Sequence, residues 1–326
     1  MQNVILGTMN ILYPYSSSSN LETSDYKDMI ESYLLETTRQ NAILDTAYYY
    51  ANGKCEQVLG EILPQLSYLP KISTKVNPWF ENDFQNGKQG QLSRDNVISQ
   101  LTTSLKNLDQ KSVEYLYLHC PDYETPIDET LEICDTLWRQ EKYNHLGLSN
   151  FSLEQVQEVL DVCEKEGIIF PGYYQGMYNL ISRKVEEIFP LLDEYNIEFW
   201  AYNPLAGGLL SGKYNNNNTV TCNNNNRFKD NVIYQNIFWK PEILSHLELD
   251  FFKLKPEKSL EYSLQWLQFL SEKRLSDKII IGASNKEQLI KNMDVLKTAA
   301  LYDVRTIKML KNIYHSISLF SPNYYY

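Results

Sequence analysis

Eight short apolar runs, each divided from the next by a stretch of different periodicity, constrain this chain more than any other feature of it. The runs are Val4–Met9, Ala42–Leu44, Lys71–Val76, Val113–Leu118, His145–Leu148, Tyr173–Met177, Ile197–Tyr202 and Lys278–Ile281. Their length suits strands buried on both faces. Between them the apolar spacing changes to three or four residues, as in Met29, Ile30, Tyr33 and Leu34 of a helix expected from about Asp25 to Gln40. Val97, Leu101, Leu105 and Leu108 mark a second helix, opened by Ser93 as N-cap. Thr125-Pro126-Ile127-Asp128 combines an N-cap, a proline at the first helical position and an acid at the third, and predicts a helix to Arg139. Ser152-Leu153-Glu154-Gln155 is a capping box. Further helices are expected over Lys54–Leu63, Lys184–Tyr195, Ser259–Glu272 and Lys286–Lys297.

Strand and helix in strict alternation imply parallel βα units. Eight such units favour a closed (β/α)8 TIM barrel, an α/β fold in one domain over 1–326, above an open doubly wound sheet. The open fold wants Gly-x-Gly-x-x-Gly after its first strand, whereas this chain has Gly7-Thr8-Met9-Asn10. Residues 215–226, with two runs of four asparagines, read as a low-complexity loop insertion, and about 315–326 as a C-terminal tail.

A net charge of −11 argues against nucleic acid or an anionic membrane as partner. No apolar run reaches the length of a membrane span, and the N-terminus lacks the pattern of a signal peptide. Five scattered cysteines without a Cys-x-x-Cys pair predict neither metal site nor disulfide framework. A reducing, cytoplasmic setting is the expectation.

The C-terminal ends of barrel strands converge on one face, where active sites sit. Asp45, Lys75 and His119 lie at three successive ends, and Tyr50 lies just beyond the first of them. A phenol titrates near 10 and donates its proton poorly at neutral pH until a nearby ammonium favours the phenolate. Lys75 is suited to that task, with Asp45 holding it charged. Tyr50 can then protonate the alkoxide that forms as hydride reaches a carbonyl carbon, and His119 can orient the carbonyl oxygen. Singly, each has an ordinary explanation: Asp45 a loop cap, Tyr50 a packing tyrosine, Lys75 an ion-pair member, His119 a core histidine. The concurrence of four suited residues at three successive strand ends is what those explanations leave out.

The later strands carry groups suited to a carboxamide-bearing ring: Ser149, Asn150 and Gln175, with Tyr202 available to stack. A buried polar set and a core aromatic are the structural alternatives. Gly207 and Gly208 let backbone N–H groups approach a diphosphate, and Gly282-Ala283-Ser284-Asn285 opens a helix. The alternative for that last segment is simple capping by Ser284 or Asn285. Lys213, Arg227 and Lys286 are candidates for a further phosphate.

With these residues in place, the chain resembles the aldo-keto reductases, and within them the aflatoxin-aldehyde (succinic semialdehyde) reductase branch. The stretches that carry the resemblance are Leu44-Asp45-Thr46-Ala47 with Tyr50, Ser73 to Trp79, Tyr117-Leu118-His119 with Pro121-Asp122, Leu146 to Asn150, Tyr174 to Asn179 and Ala201 to Leu210. The resemblance implies a barrel that binds NADPH in extended form and reduces a small carbonyl, with Tyr50 as acid assisted by Lys75 and Asp45. It implies that Ser149, Asn150 and Gln175 hold the nicotinamide amide under Tyr202. Asn203, Pro204, Leu205, Gly207, Gly208, Leu209, Gly212 and Lys213 would line the diphosphate. Arg227, Gly282, Ser284, Gln288 and Asn292 would surround the adenosine end, and Met9, Trp79, His119 and Tyr178 the substrate mouth. Members of the branch commonly form homodimers. One departure stands out: Pro322-Asn323-Tyr324 is followed by Tyr325 and Tyr326, where the branch carries an arginine that grips a substrate carboxylate. Apolar or aromatic aldehydes are therefore expected over ω-carboxy aldehydes. The alternatives from other classes are a Schiff-base aldolase using Lys75, and a cofactor-binding regulatory subunit like the potassium-channel β subunits.

Overall fold

The computed structural model describes residues 3–11, 22–80, 89–212, 215–216, 219–220, 232–252, 258–271, 277–298 and 304–325. Eight parallel strands form a closed barrel: β1 Val4–Gly7, β2 Ile43–Asp45, β3 Lys71–Val76, β4 Val113–Leu118, β5 Tyr143–Ser149, β6 Tyr173–Met177, β7 Glu198–Tyr202 and β8 Lys278–Ile281. Each pairs with its neighbours in sequence, and β1 closes on β8 through Val4–Ile279, Ile5–Ile280 and Leu6–Ile281. The fold is the expected (β/α)8 barrel.

Among the described residues, one α-helix stands in each gap between consecutive strands from β1 to β7: α1 Thr23–Glu36, α2 Lys54–Ile62, α3 Arg94–Asn107, α4 Ile127–Arg139, α5 Leu153–Glu166 and α6 Phe189–Glu194. The later chain adds α7 Val232–Phe238, α8 Pro241–His246, α9 Ser259–Ser271, α10 Lys286–Lys297 and α11 Val304–Ile317. Among the described residues no helix is long and apolar enough to cross a membrane.

The period of two along each strand divides the core into two compartments. Ile5, Ile43, Tyr115, Tyr117, Trp200 and Ile280 fill the barrel lumen. Their neighbours Val4, Leu6, Leu44, Leu116, Leu118, Phe199 and Ile281 face outward into the helix layer. Gly147 is required by this packing, since a Cβ there would lie 2.3 Å from the ring of Tyr117.

Four details differ from the sequence expectation. α1 ends at Glu36, ahead of Gln40. The helix after β4 starts at Ile127, with Pro126 in the cap position at ψ 134° and Thr125 Oγ1 donating to Asp122 Oδ2 instead of capping. The stretch expected as one helix over Lys184–Tyr195 is a 3-10 turn, Lys184–Ile188, followed by α6. Pro190 marks the break, because proline is favoured in a first helical turn and not inside one. α7, α8 and α11 carried no clear signal, and α11 takes in the start of the expected tail. The insertion at 215–226 lies mostly outside the described residues, with Asn215–Asn216 and Thr219–Val220 forming a small antiparallel ribbon.

Candidate active site

Parallel register brings the first three strand ends to one level, with Asp45 opposite Ser73 and Lys75 opposite Tyr117. Asp45 and Lys75 point into the lumen and are only 3% and 2% exposed, so neither charge has water for a partner. They satisfy each other: Lys75 Nζ donates to Asp45 Oδ2 at 2.7 Å and to the Thr46 carbonyl at 2.7 Å. The second carboxylate oxygen accepts from Ser73 Oγ at 2.9 Å and from Gln175 Nε2 at 2.7 Å. A buried pair is tolerated when its remaining lone pairs are met in this way. Burial pulls the Lys75 ammonium below the ordinary lysine range, and the charge of Asp45 works against that pull.

Tyr50 begins the turn that follows β2, Tyr50–Gly53. Ala51 and Asn52 take left-handed φ values of 50° and 55°, and Gly53 lies at 82°. The turn folds Tyr50, half-buried, back over the strand ends. Lys75 Nζ lies 5.2 Å from the centre of its ring. His119 follows β4 directly, its N–H donating to the Val76 carbonyl at 2.9 Å. Its ring stands 5.9 Å from that of Tyr50, edge to face, and 5.1 Å from that of Trp79. Burial first, and the Lys75 charge second, hold the imidazole well below its ordinary pKa, so it is neutral at pH 7. Its Nδ1 is enclosed without a hydrogen-bond partner. The four expected residues therefore meet in one place: a buried charge pair, a phenol above the ammonium, and a neutral imidazole beside the phenol.

The second half of the mouth is a chain of amides. Tyr202 Oη donates to Asn150 Oδ1 at 2.7 Å, and Asn150 Nδ2 donates to the His119 carbonyl at 2.9 Å and to Ser149 Oγ at 3.0 Å. Asn150 sits at φ 64°, which an asparagine tolerates. Gln175 links this half to the charge pair. Its nitrogen donates to Asp45 and Ser149 Oγ accepts from Asn150, so Gln175 Oε1 offers an acceptor and the Ser149 hydroxyl a donor. One acceptor and one donor on adjacent strands suit the two faces of a carboxamide. The turn after β7 is built on backbone: Asn203, Ala206, Gly207, Gly208 and Gly212 all have positive φ, and Asn203 Oδ1 accepts the Gly207 N–H at 2.8 Å. Pro204, Leu205 and Leu209 belong to the same turn, Leu209 buried beneath it.

At the last strand end, Gly282 is exposed and Asn10 Nδ2 donates to the Ala283 carbonyl at 3.0 Å. The capping alternative is realised here: Asn285 Oδ1 accepts the Gln288 N–H at 2.9 Å, and Gln288 Oε1 accepts the Ser284 N–H. Asn292 is buried two turns into α10. Lys213 and Arg227 lie outside the described residues.

One expected site residue is misplaced. Tyr178 is fully buried, packed on Phe189 and Phe199 with its hydroxyl on Glu186 Oε1, and does not line the mouth. It follows the last residue of β6, where the chain turns outward from the lumen. Met9 and Trp79 remain beside the strand ends, Trp79 with its ring 5.3 Å from Tyr49. Sequence reasoning missed Ser73 and Thr46, which complete the shell of the charge pair. Strand parity was the available signal for Ser73, two positions before Lys75 and facing the same way. The tail is anchored to the turn after β6: Tyr324 Oη donates to Glu187 at 2.7 Å, Ser321 Oγ to the Ile181 carbonyl at 2.8 Å, and Lys184 Nζ to Asn323 at 3.1 Å.

Residues 3–314 match the family model described as Aldo/keto reductase family. The chain is 36% identical over 308 residues to aflatoxin B1 aldehyde reductase member 2 of Homo sapiens, covering 88% of this chain and 82% of that protein. It is 34% identical to aflatoxin B1 aldehyde reductase member 4 of Homo sapiens, covering 88% of each. Among solved structures, the glycerol dehydrogenase of Gluconobacter oxydans superposes with a TM-score of 0.74 at 23% identity, over 98% of this chain and 92% of that one.

Proposed function

This chain belongs to the aldo/keto reductase family, and from that premise we propose that it reduces aldehydes to alcohols with NADPH, Tyr50 supplying the proton. The observation that carries this reading is the buried Asp45–Lys75 pair with Tyr50 over the ammonium and His119 beside it. Reduced nicotinamide, when bound, supplies the hydride. Ser149, Asn150 and Gln175 would hold its carboxamide, and Tyr202 would cover its ring. The turn from Asn203 to Gly212 would receive the diphosphate, with Lys213 as a further contact. Gly282, Ser284, Gln288, Asn292 and Arg227 would take the adenosine end.

The chain's own residues account for the proton. The ammonium near the Tyr50 ring lowers the cost of phenolate formation, so the phenol releases its proton to the alkoxide at neutral pH. Asp45 keeps the ammonium charged against the pull of burial. A neutral His119 can donate a hydrogen bond to the carbonyl oxygen without competing as an acid. Trp79, Tyr49 and Tyr50 make the surroundings aromatic, which favours apolar and aromatic aldehydes over those bearing a carboxylate. The relatives named as aflatoxin aldehyde reductases agree with an aldehyde substrate.

The test is oxidation of NADPH with a panel of aromatic and ω-carboxy aldehydes, using wild type and Tyr50→Phe. We expect turnover favouring the aromatic aldehydes, a fall of about a thousandfold or more in Tyr50→Phe, and NADPH binding unchanged within twofold. Activity that survives in Tyr50→Phe removes the proton-donor role. Cofactor binding without turnover in the wild type points instead to a regulatory subunit.

A further inference from the structure

Glu56 is the third residue of α2, the helix that continues directly from the turn carrying Tyr50. A glutamate this early in an amphipathic helix is ordinarily solvated, yet its exposure here is 0%. Oε1 accepts from Thr74 Oγ1 at 2.6 Å, and Oε2 is enclosed without a hydrogen-bond partner. Thr74 immediately precedes Lys75 on β3 and faces the helix layer, as strand parity requires. The carboxyl group thus sits behind the barrel wall, on the far side of the strand from the Asp45–Lys75 pair.

The close fit of α2 holds it there. A Cβ on Gly60 would come within 2.1 Å of the Asn107 carbonyl at the end of α3, so α2 lies hard against that helix. Ser104 Oγ, itself without a partner, and Asn107 face Glu56 from α3. From β3 comes the charge of Lys75, which also senses Asp45 on β2. The Cys55 thiol on α2 itself is pushed up to about 11 by burial and is uncharged at neutral pH.

We propose that Glu56 is a positioning residue for the reduction: it ties the turn of Tyr50 to the strand of Lys75, and its charge helps decide how firmly Lys75 keeps its proton. This rests on the reductase reading. As a carboxylate, Glu56 gives Lys75 a second anion besides Asp45. As an acid it withdraws that support while the bond from Thr74 persists, and the acid O–H can donate a hydrogen bond to Ser104 Oγ. Burial pushes the Glu56 carboxyl up to about 7, so the change between the two forms falls where the enzyme works. Below that pH the wild type resembles a variant with a neutral amide; above it, the two diverge.

The experiment combines kinetics with a titration of the chain alone, using wild type and Glu56→Gln, which keeps an acceptor for Thr74. Expected is equal kcat below about pH 6 and a kcat about threefold to tenfold lower in Glu56→Gln above about pH 8, with KM for NADPH unchanged. In protein carrying labelled lysine nitrogen, the Lys75 Nζ resonance should step as Glu56 titrates in the wild type, and the step should vanish in Glu56→Gln. A merely structural Glu56 would leave Lys75 without a step and lower kcat equally at all pH values, and that result overturns the proposal. So does a Glu56→Gln profile that retraces the wild type. The wild-type titration needs no variant to fold. If the wild type reduced no carbonyl yet its Lys75 step vanished in Glu56→Gln, the reductase reading would fall and the coupling would stand.

Discussion

The two halves of the barrel mouth are made differently. At the ends of β2, β3 and β4, side chains do the work: opposite charges, nearly sealed from water, are matched atom for atom. At the ends of β5 and β7, side chains mostly hold one another, and the turn that follows is shaped by five residues at positive φ. A geometry set by charge and burial persists whether or not anything is bound. A geometry set by turns and amides is completed by its ligand. On the proposed reading, proton chemistry belongs to the first half, and affinity for the cofactor to the second.

Changes on each side should separate these properties. The largest effect is expected from Lys75→Met, which leaves Asp45 buried without its cation. A loss of about 3–5 kcal/mol in urea unfolding should accompany the loss of turnover, and Asp45→Asn in the same chain should restore much of the stability but none of the activity. Gly208→Val should act only on the second half. A β-branched residue at φ 89° is strained, and we expect NADPH Kd to rise about tenfold, for about 1–2 kcal/mol, with kcat at saturation kept. A fall in kcat of the same size would mean that the two halves are not independent. The smallest change is Tyr202→Phe, which deletes one hydroxyl from Asn150. About 1 kcal/mol, or roughly fivefold in Kd, is expected by fluorescence titration.

The same contrast explains what was legible in the sequence. Strand parity and strand ends located Asp45, Lys75 and His119 because a barrel carries every strand end to one face. The Ser152 capping box was equally plain, its Oγ accepting the Gln155 N–H and Gln155 Oε1 accepting in return. Tyr178 and Thr125 were misplaced because they lie one and two residues outside a regular element, where periodicity no longer says which way a side chain turns. Glu56 gave no signal at all. A glutamate near a helix start suits the helix dipole, and only the closeness of α2 to α3 shows that it is sealed.

The hydrogen bond between Gln175 and Asp45 joins positions 130 residues apart. Until the sixth strand has docked, the carboxylate at the end of the second lacks one of its partners, and the lysine bound to it faces a lumen not yet closed. Local contacts can build the first four βα units, but they cannot finish the electrostatic environment on which the proton step depends. Completion of the site thus requires the sixth strand, and competence to reduce a carbonyl is a more demanding reporter of barrel closure than helix content. A truncated chain holding the first four strands would carry Asp45, Tyr50, Lys75 and His119 and, on the proposed reading, still be silent.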